Sequence, residues 1–318
     1  MSFLGVGDSF LMKTVSKDFL TLQDYSASEI WEMLKMANEI KDKPEKYSDR
    51  LSGKAVLLLF QKASTRTRVS FEVAIRQLGG LPISLGWSEA QLGRGETIAD
   101  TARVLNRYVQ CVVARVYNHS DLEEMASYAD IPIVNALSDL YHPCQAVADF
   151  FTIWEHFGSL KNLKMAYIGD ANNVCNSLLI GCSKIGVNID VACPPEYKPK
   201  EKILNLALKN AEMSESSVKV STEPVEAVTD AHVVYTDVFV SMGFEEERPK
   251  RLRVFLPKYR VATDLFRHAS EDAIFMHCLP VHRGEEVTDD VIDGPRSLVW
   301  DQAENRLHTA KAILSYVL

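Results

Sequence analysis

Short, nearly all-apolar runs separated by stretches of helical spacing set the strongest limit on what this chain can fold into. The runs are AVLLLF (55–60), CVVARV (111–116), IPIVNAL (131–137), KMAYIG (164–169), NIDVAC (188–193), HVVYTDV (232–238), AIFMHC (273–278) and SLVW (297–300). A strand that is apolar on both faces must be covered on both sides, the condition of a parallel sheet packed between helices. Between the runs, apolar residues recur at i, i+3, i+4 and i+7: Ile30, Met33, Leu34 and Ala37 behind a Ser26–Glu29 capping box, then Phe71, Ala74, Ile75 and Leu78 ahead of Gly79-Gly80. The same spacing returns at 98–105, 147–154 and 175–182. The fold class that follows is α/β, with two doubly wound parallel-sheet domains joined by interdomain helices. A helical stretch from 143 to 157 divides three runs from five, and the final AENRLHTAKAILSYVL can pack back on the first half. The expected domains are 1–149 plus 303–318, and 150–302, a division that suits 318 residues.

Charge and cysteine usage exclude several function classes. Thirty-five Lys and Arg against 43 Asp and Glu leave a net charge of −8, without the positive field that general nucleic-acid or anionic-membrane binding requires. No apolar run approaches the length of a membrane span. Cys111, Cys144, Cys175, Cys182, Cys193 and Cys278 form no CxxC pair or zinc-finger spacing, a pattern of free thiols in a reducing compartment. The first 20 residues contain two Asp and no Arg and show no secretory pattern, so a cytoplasmic location is expected.

In open α/β sheets ligands bind beyond the carboxyl ends of the strands, which makes the polar residues after each run the candidate functional ones. AVLLLF is followed by QKASTRTR, placing Ser64, Thr65, Arg66, Thr67 and Arg68 where a strand turns into a helix. Free N–H groups and the positive helix end attract anions there, and a guanidinium fork matches phosphate oxygens. The alternative is an ordinary Ser/Thr cap with solvated arginines. Arg115 sits inside an apolar strand and needs either a carboxylate partner or a ligand anion. In SDLYHPCQ, Pro143 suits a first helical position, leaving His142 and Gln145 as caps or as donors to one carbonyl or oxyanion. GDANNVCNS turns from strand to helix without GxGxxG, so a nicotinamide cofactor finds little support, and Asn172, Asn173 and Asn176 read first as caps. Asp237 stands at a strand end ahead of Ser241-Met242-Gly243, a segment able to close as a lid, and the charged run 245–253 reads as solvated loop. His277 and Cys278 are neighbours on an extended run and should point oppositely, which speaks against a thiol nucleophile and leaves Cys278 as a small apolar filler.

Taken together, STRTR at 64–68, HPCQ at 142–145, DVFVSMG at 237–243 and HCLP at 277–280 resemble the carbamoyltransferase family across nearly the whole chain. STRTR and HPxQ are similar to its shared carbamoyl-phosphate signature. The SMG loop and HCLP resemble the ornithine branch, whereas the aspartate branch typically has HPLP at the latter place. Ala63, Ala171 and Phe244 depart from residues frequent in the family. The resemblance implies transfer of a carbamoyl group from carbamoyl phosphate to the δ-amine of L-ornithine, without metal or organic cofactor, in a homotrimer or an assembly of trimers. By the same resemblance Ser64, Thr65, Arg66 and Thr67 hold the phosphate, and Arg115, His142 and Gln145 surround the carbamoyl group. Arg306 in ENRLH and Gln91 in QLGRGE approach carbamoyl phosphate, Gln91 near a subunit contact. Asn173, Asp237, Ser241 and Met242 bind the α-amino and α-carboxylate ends of ornithine. Cys278 and Leu279 lie beside carbamoyl phosphate and the reacting amine. Asp237, Cys278, Arg115 and His142 make up the expected catalytic set.

Overall fold

The computed structural model of the chain describes residues 18–62, 64–241 and 244–318. The first lobe runs α1 (Ala27–Asp42), β1 (Ala55–Phe60), α2 (Thr65–Gln77), β2 (Leu81–Gly86), α3 (Ile98–Leu105), β3 (Cys111–Arg115), α4 (His119–Tyr128) and β4 (Ile133–Leu137). Helix α5 (Pro143–Phe157) then leads into β5 (Lys164–Ile168), α6 (Asn173–Ile185), β6 (Asn188–Ala192), α7 (Glu201–Ser214), β7 (Val218–Ser221), α8 (Pro224–Val228) and β8 (Val233–Thr236). The chain finishes with α9 (Arg248–Tyr259), α10 (Thr263–Phe266), β9 (Ile274–His277), α11 (Asp289–Ile292) and α12 (Val299–Val317).

All strand pairs are parallel, in the orders β2-β1-β3-β4 and β7-β6-β5-β8-β9. Alternation along the strands explains why both faces are covered. Val56 and Leu58 of β1 pack with α1 and α2, while Leu57 and Leu59 face a separate core with Ala102 and Leu122 of α3 and α4. Met165 and Tyr167 of β5 likewise join the core beneath α6 and α7, and Ala166 and Ile168 join the one beneath α8 and α9. Each such side chain, once buried, contributes about 1.5–3 kcal/mol of transfer free energy.

The lobes share one continuous core because α5 is buried along Pro143–Ile153 and packs on both α6 and α12. Contact between α5 and α6 is close enough that a Cβ on Gly181 would lie 2.3 Å from Phe150, so glycine is the residue that fits. Helix α12 returns from the second sheet to pack against α1, α2 and α5, with Arg50 donating to Ser315 O at 2.7 Å. The capping box of α1 forms as its sequence predicts, Ser26 Oγ accepting from Glu29 N and Glu29 Oε2 from Ser26 N.

Three sequence expectations need correction. SLVW is not a strand: Ser297 makes only an isolated bridge to Phe275 before α12 begins at Val299. Strands β2 and β7 were not expected, because edge strands carry mixed, half-exposed residues, and β2 includes Pro82, which only an edge tolerates. Finally, the charged run 245–253 belongs mainly to a helix, α9, rather than a solvated loop. No helix among the described residues is long and apolar enough to cross a membrane.

Candidate active site

Strand order reverses between β1 and β3 in one sheet and between β5 and β8 in the other, and ligands favour the crevices outside the strand ends at such reversals. Both reversals open into one cleft of about 870 Å³. Its lining comes from segments that follow strand after strand: Ser64–Thr67 after β1, Arg115 at the end of β3, His142 and Gln145 after β4, Asn173 after β5, Asp237 and Ser241 after β8, and Cys278 and Leu279 after β9. Arg306 enters from α12. These residues, up to 242 positions apart (306 − 64), converge on one space.

The first-lobe rim is cationic and unpaired. Ser64 caps α2 by accepting from Thr67 N at 3.3 Å, which directs the free N–H groups of that helix end and the Arg66 side chain into the cleft. Arg115 has no carboxylate partner, and its Nε is buried without an acceptor among the described residues, as is Nη2 of Arg306. This decides against the structural ion pair for Arg115. Burial, then the charges of Arg306 and Arg66, pull the Arg115 guanidinium down to about 10. His142 occupies the N-cap position of α5 but makes no side-chain cap, and its Nδ1 is an orphan. Burial first, then Arg306, Arg115 and Arg66, hold its imidazole well below the usual range, so it is neutral. Lys62, in the run ahead of Ser64, also lines the cleft over the Tyr117 ring at 4.3 Å. Two buried guanidiniums, Arg115 and Arg306, with exposed Arg66 beside them and no ion pair made by any of the three among the described residues, make a site for an anion carrying more than one negative charge.

The opposite rim is acidic and internally satisfied. Asp237 accepts from Asn172 Nδ2 at 2.7 Å, from Val238 N at 2.8 Å and from the Cys278 thiol at 3.1 Å. Burial, the Asp237 charge and this hydrogen bond push the Cys278 thiol well above its ordinary value, so it is a protonated donor and not a thiolate nucleophile. Asn172 caps α6 as expected, accepting from Val174 N and Cys175 N. Asn173 and Asn176 do not cap; they donate to Ser138 O at 2.6 Å and Leu140 O at 3.1 Å, tying α6 to the loop after β4. Arg251 of α9 is buried between the Tyr197 and Phe244 rings and donates to Asp170 at 2.7 Å.

Gln91 is not in the cleft of its own chain; it starts an exposed turn, Gln91–Arg94. Met242 lies outside the described residues. Asp170, Arg251 and Gln302 were missed, since each acts through a partner distant in sequence. Among the described residues two groups bring three metal-capable atoms within 4.8 Å of one another, Asp237, His277 and Cys278, and His282, Glu285 and Glu286. The first is not an open donor set. His277 Nδ1 accepts from Leu279 N, His277 Nε2 faces Glu286 at 3.3 Å, and the Cys278 thiol already serves Asp237.

Two family models cover the chain: the carbamoyl-P binding domain of aspartate/ornithine carbamoyltransferase matches residues 17–155, and its Asp/Orn binding domain matches 161–317. The chain belongs to the aspartate/ornithine carbamoyltransferase family. Among relatives of this carbamoyltransferase, the anabolic ornithine carbamoyltransferase of Pyrococcus furiosus is 53% identical over 310 residues, which cover 97% of this chain and 98% of that one. The solved ornithine carbamoyltransferase from Pyrococcus furiosus superposes with a TM-score of 0.91 at 54% identity, covering 94% and 96% of the two chains. A solved acetylornithine transcarbamylase complexed with acetylcitrulline gives a TM-score of 0.86 at 32% identity, covering 95% and 99%.

Proposed function

We propose that the protein is an ornithine carbamoyltransferase, forming L-citrulline and phosphate from carbamoyl phosphate and L-ornithine in the direction of arginine synthesis. The observation that carries this is the pair of buried guanidiniums with unpartnered nitrogens, Arg115 and Arg306, lining one cleft with exposed Arg66 and facing Asp237 and Cys278. Ser64, Thr65, Arg66 and Thr67 bind the phosphate through the end of α2. Arg115, His142 and Thr67 donate to the carbamoyl oxygen, with Gln145, Leu279 and Arg306 completing its surroundings. Removing one such preorganised donor costs about 2.7–4 kcal/mol in comparable oxyanion sites.

The δ-amine attacks the carbamoyl carbon, forming a C–N bond while negative charge builds on the oxygen. As that charge collapses, the bond between the carbamoyl carbon and the bridging phosphate oxygen breaks, and phosphate, held by Arg66, leaves with the electron pair and takes up the second proton of the attacking nitrogen. Ornithine's δ-ammonium titrates near the lysine value of about 10.4, so it must shed a proton before attack. Asp237 takes that proton and orients the amine, and the Cys278 thiol steadies the carboxylate. Asn173, Ser241 and Met242 hold the α-amino and α-carboxylate groups.

We place the domain boundary at 149/150 and assign 303–318 to the first lobe, on the packing of α12 against α1 and α2. Gln91, remote from its own cleft, fits a homotrimer or assembly of trimers in which a neighbour supplies it. A cytoplasmic location is part of this proposal, consistent with the free cysteines. Assays pairing carbamoyl phosphate with ornithine, putrescine, acetylornithine and aspartate test the reading. Citrulline should form fastest; a tenfold preference for another acceptor overturns the ornithine assignment.

A further inference from the structure

Asp149 is a fully buried acid behind the cleft, one helical turn after Gln145 on α5, and it touches no ligand-facing space. Three donors converge on it. Gln145 Nε2 and Gln302 Nε2 each reach Oδ1 at 2.7 Å, and Tyr235 Oη reaches Oδ2 at 3.1 Å. We propose that Asp149 is a positioning residue for carbamoyl transfer: by accepting from both glutamine amides it dictates which way each faces, and so aligns Gln145, Arg306 and the His277–Leu279 turn.

A side-chain amide has nearly the same shape either way round, and its two ends differ only as donor and acceptor. A carboxylate oxygen can only accept. Gln145 must therefore give Nε2 to Asp149, which leaves its Oε1 to accept from Arg306 Nη1 at 2.5 Å. Gln302 is held by the same logic, and its Oε1 accepts from His277 N at 3.0 Å, one residue before Cys278. Reversing Gln145 would set its amide hydrogens against a guanidinium, donor to donor, where burial makes an unmet donor costly. With Gln145 oriented, Arg306 Nη2 has no protein acceptor among the described residues and is left for a ligand. Tyr235, two residues before Asp237, ties the same carboxylate to the second lobe. Burial pushes Asp149 up to about 7 against the three donors and Arg306, so these hydrogen bonds have a large desolvation cost to offset.

The inference rests on the carbamoyltransferase reading, because only there do Gln145, Arg306 and Cys278 act on one pair of substrates. Its test is Asp149→Ala in the full chain, with steady-state kinetics and separate binding of carbamoyl phosphate and of orthophosphate by calorimetry. The expected result is a rise of at least tenfold in KM for carbamoyl phosphate and a loss of carbamoyl-phosphate affinity at least threefold greater than the loss for orthophosphate, whose anchors on α2 lie outside the network. A carbamoyl-phosphate KM within twofold of wild type overturns the proposal, and so does an equal loss for both ligands, which marks general disruption. Should the alanine variant not fold, Asp149→Asn decides. It keeps the size but offers one acceptor oxygen to three donors, and a threefold rise in carbamoyl-phosphate KM supports the role where a value within twofold removes it. A wild-type protein that forms no citrulline defeats the activity reading instead, independently of either variant.

Discussion

The two rims of the cleft solve opposite electrostatic problems. On the first lobe, Arg66, Arg115 and Arg306 crowd together without a carboxylate, and neutral His142 stands among them with an orphan nitrogen. On the second, Asp237 is already held by Asn172, Val238 N and Cys278, and Asp170 by Arg251. The cationic rim is a mould that lacks its anion, whereas the acidic rim is complete by itself and must exchange partners to receive an amine. Burial of like charges is tolerated only where a ligand of opposite charge repays it. Carbamoyl phosphate should accordingly bind the free protein well, and ornithine should bind better once that anion is in place.

The sharpest way to break this contrast is Arg66→Ala. Losing charge-assisted hydrogen bonds of about 1.5–3 kcal/mol each predicts a fall in kcat/KM for carbamoyl phosphate on the order of 10²- to 10³-fold. Steady-state kinetics should show this with little change in ornithine KM; a loss confined to ornithine would erase the division of labour. Next in size, Gly181→Ala inserts a methyl against Phe150 where the lobes share their core, and overpacking of this kind costs about 1–3 kcal/mol. Urea denaturation should record the loss while the folded fraction keeps its substrate constants, since neither rim is touched. Cys278→Ser acts on the acidic rim alone: ornithine kcat/KM should drop about tenfold, the scale of one weakened hydrogen bond to a charged group, with carbamoyl-phosphate binding retained. Unchanged ornithine saturation and turnover would take Cys278 out of the mechanism. The smallest signal concerns His142, whose imidazole should show no titration near the ordinary value of about 6.5 in side-chain NMR. A midpoint there would mean that burial and the charges of Arg306, Arg115 and Arg66 together do not keep the ring neutral.

Legibility in the sequence followed the range of the interactions involved. Central strands such as AVLLLF and KMAYIG announce themselves because both faces are buried, and the Ser26–Glu29 box because its partners are three residues apart. Edge strands β2 and β7 did not, since none of their residues is fully buried and their pattern resembles loop. SLVW misled for the converse reason: its apolar residues belong to the start of a buried helix, and a four-residue run has no periodicity to tell the two apart. Within the site, residues after strand ends could be named singly, but whether Arg115 paired with a carboxylate or His142 served as a cap depended on what faced them from elsewhere.

By itself the sequence determined the α/β layering, the strand-end location of the candidate residues and the acidic balance, all consequences of local pattern and composition. Tertiary structure alone decided that Arg66, Arg115 and Arg306 share a pocket without forming an ion pair among the described residues, that Asp237 meets Cys278 and Asn172, and that Asp149 gathers two glutamines and a tyrosine. Electrostatic and hydrogen-bond energies depend on separations of a few ångströms, and chain folding brings those separations about in the site between residues as far as 161 positions apart (306 − 145).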